Sequence, residues 1–261
     1  MTTINMYLYQ ILQKYQPRDL SSHYLQISIL HEVLRTWASS CYIEIINSGS
    51  RAKGTAISAA SDVDYLVSLA SNCNDSNGGL RSIYESLYSK LTNSGYSVRQ
   101  QNVSFRINLN GLEVDVTPAR KYSGNTNYHS LYVSKKQTWQ QTNVKKHILD
   151  ISQSGRTNEI KILKIWRELN RLEFPSIYLE YLLVNNILLY KSKETSSLGD
   201  NVWHALNQLA ATQNNPLFTT IIDPANSSNI LSDLLSSVEK NQIISRAQLA
   251  IRQSNWNQIV V

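Results

Sequence analysis

Charge and cysteine are both scarce in this chain. Of its 261 residues only 17% are charged, while 42% are hydrophobic. Disordered chains are usually poorer in apolar residues and richer in charge, so a globular protein with a sizeable core is expected. The two cysteines, Cys41 and Cys73, make no disulfide framework, and a reducing cytoplasm is the default compartment. The nearest approach to a membrane span is Tyr181–Tyr190, which Asn185 and Asn186 interrupt; a span needs roughly 18 consecutive apolar residues. Met1 to Gln16 has no charged start, apolar run or small-residue cleavage site, so no secretory signal is expected. The five histidines are scattered and none stands beside a cysteine at zinc-ligand spacing. There is no repeat at solenoid spacing and no low-complexity tract.

What charge there is leans positive: 25 Lys and Arg against 19 Asp and Glu give +6. That favours an anionic partner such as nucleotide, RNA or DNA.

The apolar pattern organises the chain. Helical spacing runs through residues 4–16 and 21–39, the second with a wide apolar face from Leu25 to Trp37. Tyr42–Ile46 and Asp62–Leu69 read as strands, and Ser71–Gly79 as a loop. Leu80–Ser94 reads as a helix and Val98–Leu109 as an alternating strand. Asn110-Gly111 is a hairpin signal, and Leu112–Val116 is the returning strand, ended by Pro118. Five further helices follow, over 142–151, 158–169, 175–189, 198–211 and 236–252. This order predicts an α+β fold: a first domain over 1–130 and a helical domain over 131–261.

The chemistry concentrates in Gly49-Ser50-Arg51-Ala52-Lys53-Gly54-Thr55, followed by Ser61-Asp62-Val63-Asp64. The NTPase phosphate loop fails here, because the lysine precedes Gly54 rather than following it. What remains is a Gly-Ser turn after one strand, then an Asp-x-Asp strand. Asp62 and Asp64 leave the same strand face with Cα atoms about 6.6 Å apart. Carboxylates at that spacing suit two divalent cations about 3.5–4 Å apart. If the Leu112–Val116 strand pairs beside them, Asp115 completes a three-carboxylate cluster. Mutual repulsion then predicts that Asp62→Ala or Asp64→Ala leaves the fold intact or slightly more stable.

Gly49-Ser50, Asp62-Val63-Asp64 and Asp115 resemble the signature of the polymerase-β-like nucleotidyltransferase superfamily. Lys53-Gly54-Thr55 and Ser61 narrow the likeness to one branch. It holds bacterial cyclic-oligonucleotide synthases (CD-NTases), 2′-5′-oligoadenylate synthetases, cyclic GMP-AMP synthase and archaeal-type CCA-adding enzymes. Ile160–Trp166 is similar to the family's xxLLKxW helix, Pro175–Leu183 to its S-x-x-L-E-x-L helix, and Ile222–Asn226 with Asn229 to its DP-x-N segment. The resemblance implies a nucleotidyltransferase palm, a mixed sheet with flanking helices, followed by a helical domain, with the active site in the cleft between them.

It also implies roles. Asp62, Asp64 and Asp115 would be catalytic and would bind two Mg2+ ions, with Mn2+ as a substitute. Gly49, Ser50, Lys53 and Lys164 would meet the triphosphate, with His147, Ser176 and Tyr178 near the nucleotide. The implied reaction is NMP transfer from an NTP to a ribose hydroxyl, releasing pyrophosphate. One acceptor reading is a cyclic or linear oligonucleotide signal of antiphage type. A second is a tRNA or other RNA end, favoured by the positive charge, with nucleic acid as acceptor or activator. A third is an inactive or antitoxin-type protein of the same fold. No membrane partner is implied, and oligomeric state is left open.

Overall fold

The computed structural model describes residues 2–60, 62–73 and 78–261. Ser61 of the Ser61–Asp64 segment and residues 74–77 of the expected Ser71–Gly79 loop lie outside the described residues. In chain order the elements are α1 (Thr3–Lys14), α2 (Tyr24–Ala38), β1 (Tyr42–Ser48), α3 (Gly49–Ala52), β2 (Val63–Leu69), α4 (Gly79–Asn93), β3 (Val98–Gln100), β4 (Phe105–Leu109), β5 (Leu112–Lys121), β6 (His129–Val133), β7 (Thr138–Thr142), α5 (Val144–Ser152), α6 (Thr157–Leu169), α7 (Ser176–Leu182), α8 (Leu198–Ala210), β8 (Ile222–Asp223), β9 (Asn226–Ile230) and α9 (Ser237–Ala250). They group into two compact units. The sheet unit comprises Arg18–Ala52 and Asp62–Ile148; the helical unit comprises Met1–Pro17, Lys53–Ser61 and Leu149–Val261.

The sheet runs β1-β2-β5-β4-β3, with β6 on β5 and β7 on β6. Only β2 and β5 pair in parallel among the described strands, so the sheet is mixed. Strand periodicity builds its two faces. Val63, Tyr65, Val67 and Leu69 join Leu30 and Leu34 of α2 and Ile83, Leu87 and Leu91 of α4 in one core. Leu66 lies on the other face with Ile46, Ala119 and Leu131. Asp64 and Asp115 alternate onto that second face, away from the α2–α4 layer.

Several expected elements change. Pro118 does not end its strand: β5 continues to Lys121 and pairs Pro118 with Val67. The proline sits between the last pair with β4 (Phe105 with Val116) and the first with β6 (Arg120 with Ser130). A residue without an N–H is tolerated in such an interruption of the ladder. Strands β6 and β7 fall largely between Pro118 and the helix expected from 142, where no element was expected, and 98–109 divides into β3 and β4. The α2 face is narrower than its pattern suggests, with Leu25 and Ile29 exposed. Helix 175–189 passes into a π-helical turn over Leu183–Ile187. Cys41 and Cys73 form a disulfide, although no disulfide framework was expected. They flank β1 and β2, whose ends already meet at Tyr42 and Leu69.

The helical unit has its own core, in which Leu8 and Ile11 of α1 meet Ile160, Leu163 and Trp166 of α6 and Val202 and Leu206 of α8. Ser236 and Glu239 close a capping box at the start of α9. The DP-x-N segment is a turn: Asp223 accepts from the Ala225 N–H at 2.8 Å and from Asn229 Nδ2 at 3.0 Å, which shapes the β8–β9 hairpin. No helix of the described residues is long and apolar enough to cross a membrane.

Candidate active site

The site begins where β1 stops. Ser48 pairs with Asp64, and the next residue, Gly49, has φ +64°. A Cβ at Gly49 would lie 1.8 Å from Asp64 Oδ2 and 2.4 Å from its Cγ. Both the left-handed backbone and the carboxylate packed against it therefore demand glycine. Ser50 follows within α3.

The parallel ladder between β2 and β5 pairs Asp64 with Asp115. Neighbouring strands lie about 4.8 Å apart, so the two carboxylates leave the same face side by side. Asp62 stands just ahead of β2, its side chain 40% exposed.

Arg106 ties Asp62 and Asp115 together, with Glu113. Its Nε and Nη2 donate to Asp115 Oδ1 and Oδ2, both at 2.7 Å. Nη2 also lies 2.7 Å from Asp62 Oδ2, and Nη1 donates to Glu113 Oε2 at 2.7 Å. Gln101 Nε2 adds a bond to Asp115 Oδ1 at 3.0 Å. Partial burial pushes the Asp62 carboxyl above its ordinary range; Arg106 opposes the shift, and Asp115 and Glu113 add to it. The hydrogen bonds to Asp115, more than any other partner, raise the Arg106 pKa further, so it is a permanent cation. Repulsion at Asp62, from which a stabilising Asp62→Ala was expected, is thus offset by a resident positive charge.

Arg106 was absent from the sequence-predicted site, yet the turn points to it. A two-residue Asn110-Gly111 hairpin pairs Leu109 with Leu112, and hence Arg106 with Asp115.

Mg2+ prefers hard oxygen donors, and carboxylates at adjacent register positions supply them. The donor set therefore fits a divalent cation in its chemistry. Among the described residues no three His, Cys, Asp or Glu side chains are gathered as a ready metal cage. The carboxylates are gathered about the guanidinium instead.

The other predicted residues fall in different settings. His147, in the sheet unit, is buried in α5. In the helical unit, Lys53 and Lys164 converge on Glu180. Lys53 Nζ donates to Glu180 Oε2 at 2.8 Å; Lys164 Nζ donates to Oε1 at 2.7 Å and to Thr55 Oγ1 at 3.0 Å. Thr55 Oγ1 in turn donates to Glu180 Oε1 at 2.9 Å. Lys164 is 2% exposed and Glu180 0%. Burial acts to raise the Glu180 pKa, but Lys53 and Lys164 outweigh it and hold the carboxyl at about 2. Tyr178 is fully buried and donates to the Leu217 carbonyl at 3.0 Å, and burial pushes its pKa up. Ser176 Oγ accepts from Arg167 Nη1 at 3.0 Å. Three motifs noted separately in the sequence, Lys-Gly-Thr, the α6 lysine and the α7 glutamate, thus form one buried ionic group. Thr55 and Glu180 were not among the predicted site residues. The signal for Glu180 is a lone acid inside the apolar run Ile177–Leu183.

Comparison with known proteins agrees with this architecture. No protein of curated function matches the sequence. Among solved structures, CdnC of Escherichia coli MS115-1 with ATP is 22% identical, covers 94% of this chain and 89% of its own, and superposes with a TM-score of 0.71. CdnG of Bradyrhizobium diazoefficiens in complex with GTP is 10% identical, covers 95% and 91%, and reaches 0.74. The Cid1 poly(U) polymerase bound to MgATP is 15% identical, covers 98% and 96%, and reaches 0.65. At these identities the likeness is one of fold, an α+β nucleotidyltransferase palm with helices, as the Gly-Ser and Asp-x-Asp text implied. Residues 3–154 match the family described as the second messenger oligonucleotide or dinucleotide synthetase (SMODS) domain. With more than half of its length inside that match, the chain belongs to the SMODS family and is a nucleotidyltransferase of the CD-NTase branch.

Proposed function

We propose that the protein is a metal-dependent synthase that transfers NMP from an NTP to a ribose hydroxyl, building a cyclic or linear oligonucleotide signal in antiphage defence. The observation that carries this reading is the Asp64–Asp115 register beside a glycine that only a bare backbone satisfies. Asp62, Asp64 and Asp115 would hold two Mg2+ ions, with Mn2+ able to replace them. Bound there, the metal supplies charge neutralisation for the triphosphate and the leaving pyrophosphate.

The chain's own groups do the rest. Gly49 keeps the turn open to an approaching phosphate, and Ser50 offers a hydroxyl donor to it. Asp115 can receive the proton of the attacking hydroxyl. NTPs as substrates are supported by the ATP and GTP in the CdnC and CdnG structures. Lys53 and Lys164 shape the residues after the Gly-Ser turn through Glu180, and contact phosphate only by leaving it. His147, Ser176 and Tyr178 are proposed near the nucleotide on the family resemblance. The sheet unit carries the transfer chemistry, and the helical unit grips substrate.

An RNA-terminal transferase is the second reading. The Cid1 fold likeness and the +6 charge favour it.

The test is incubation with labelled NTPs and Mg2+ or Mn2+, with and without tRNA, using wild type and Asp64→Asn. Small phosphatase-resistant products made without RNA, and lost in Asp64→Asn, are expected. Label on RNA alone would move the assignment to terminal transfer. Unchanged turnover in Asp64→Asn would sink the metal-site assignment.

A further inference from the structure

Arg106 has a place in the site that an ordinary strand salt bridge does not explain. All three guanidinium nitrogens are spent on carboxylates: Nε and Nη2 on Asp115, Nη2 also on Asp62, and Nη1 on Glu113. Both Asp115 oxygens are engaged by the fork, the strongest geometry an arginine can offer a carboxylate. Two of these partners are the residues proposed above to hold a divalent cation. A cation entering there must take oxygens that Arg106 now holds.

We propose that Arg106 is the built-in counter-ion of this metal site, a positioning residue that gathers Asp62 and Asp115 in the metal-free protein and yields their oxygens to a divalent cation. The proposal rests on the metal-site reading of the three aspartates. Its physical basis is charge. Without Arg106, Asp62, Glu113 and Asp115 would face one another unneutralised, and like charges at that range are costly. The planar +1 guanidinium relieves this but spreads its charge over a wide fork. A compact dication at the same oxygens offers a larger, more concentrated charge. Arg106 therefore stabilises the metal-free state at the expense of metal affinity.

The sign of one measurement decides the matter. Mn2+ alone, without nucleotide, is titrated by calorimetry into wild type, R106Q, R106K and D64N, and each is melted in EDTA and in Mn2+. We expect R106Q to bind Mn2+ on the order of tenfold more tightly, as removal of one nearby charge would give. It should also melt lower in EDTA and recover more of its melting temperature with Mn2+. R106K keeps the charge without the fork and should fall between R106Q and wild type in affinity. Should R106Q fail to fold, R106K carries the comparison alone. Affinity in the Arg106 variants equal to or weaker than wild type overturns the proposal, because Arg106 would then be orienting Asp115 for the metal or only stapling the hairpin. D64N separates the two readings. Loss of Mn2+ binding in D64N with unchanged affinity in R106Q defeats the counter-ion role alone. Equal binding by wild type and D64N defeats the metal site beneath it.

Discussion

At the scale of single residues, the site is built on exclusions as much as on contacts. Gly49 is the clearest case, since its φ of +64° and its contact with Asp64 both forbid a side chain. Gly49→Ala should cost about 1–3 kcal/mol from backbone strain alone. It should also displace the Asp64 carboxylate, so turnover should fall further than the melting temperature explains. Paired melts and NTP turnover check this; a variant with wild-type turnover would mean that the Asp64 position is immaterial. Gly49, Asp62, Asp64 and Asp115 stand out in the sequence by type and spacing, and the strand register sets Asp64 beside Asp115. Arg106 was readable in principle, through hairpin register, but nothing in its own neighbourhood marks it. Phe105-Arg106-Ile107 is an ordinary alternating strand until the partner strand is known.

At the scale of elements, the buried group of Lys53, Thr55, Lys164 and Glu180 joins the segment after α3 to α6 and α7 within the helical unit. Its energetics give a pH test. The Glu180 carboxyl is held at about 2, below its ordinary 4.5. A depressed acid contributes stability that is complete above its unfolded value and fades as pH falls toward the folded one. Wild type should therefore lose stability between about pH 4.5 and pH 2 more steeply than Glu180→Gln, as followed by denaturant midpoints. At neutral pH the variant leaves two lysines without their buried counter-charge and should lose about 3–5 kcal/mol. Equal pH slopes for the two proteins would remove Glu180 as the source. The helix lengths were legible because apolar residues recur at helical spacing. The pairing of Lys164 with Glu180 was not, because a lysine pattern looks the same whether it faces phosphate or a buried acid.

At the scale of the whole molecule, connectivity matters more than sequence proximity. Residues 53–60 follow α3 directly, yet they belong to the helical unit, as does α1. The Cys41–Cys73 disulfide spans 32 residues within the sheet unit. Closing a loop of that size restricts the unfolded chain, and its loss should cost about 3–5 kcal/mol at most. Denaturation with and without reductant checks this, with Cys41→Ser as the insensitive control. Identical midpoints for wild type in both conditions would mean that the bond adds no stability.

The sequence by itself determined the family and the fold class, and it singled out three aspartates by type and spacing, which are local properties of the chain. Only the tertiary structure decided which charges meet. Arg106 reaches Asp62, and Lys164 reaches Thr55, across separations that no local pattern records. Electrostatic partnership depends on distance in space, and the strand register and helix packing that set those distances arise from the fold as a whole.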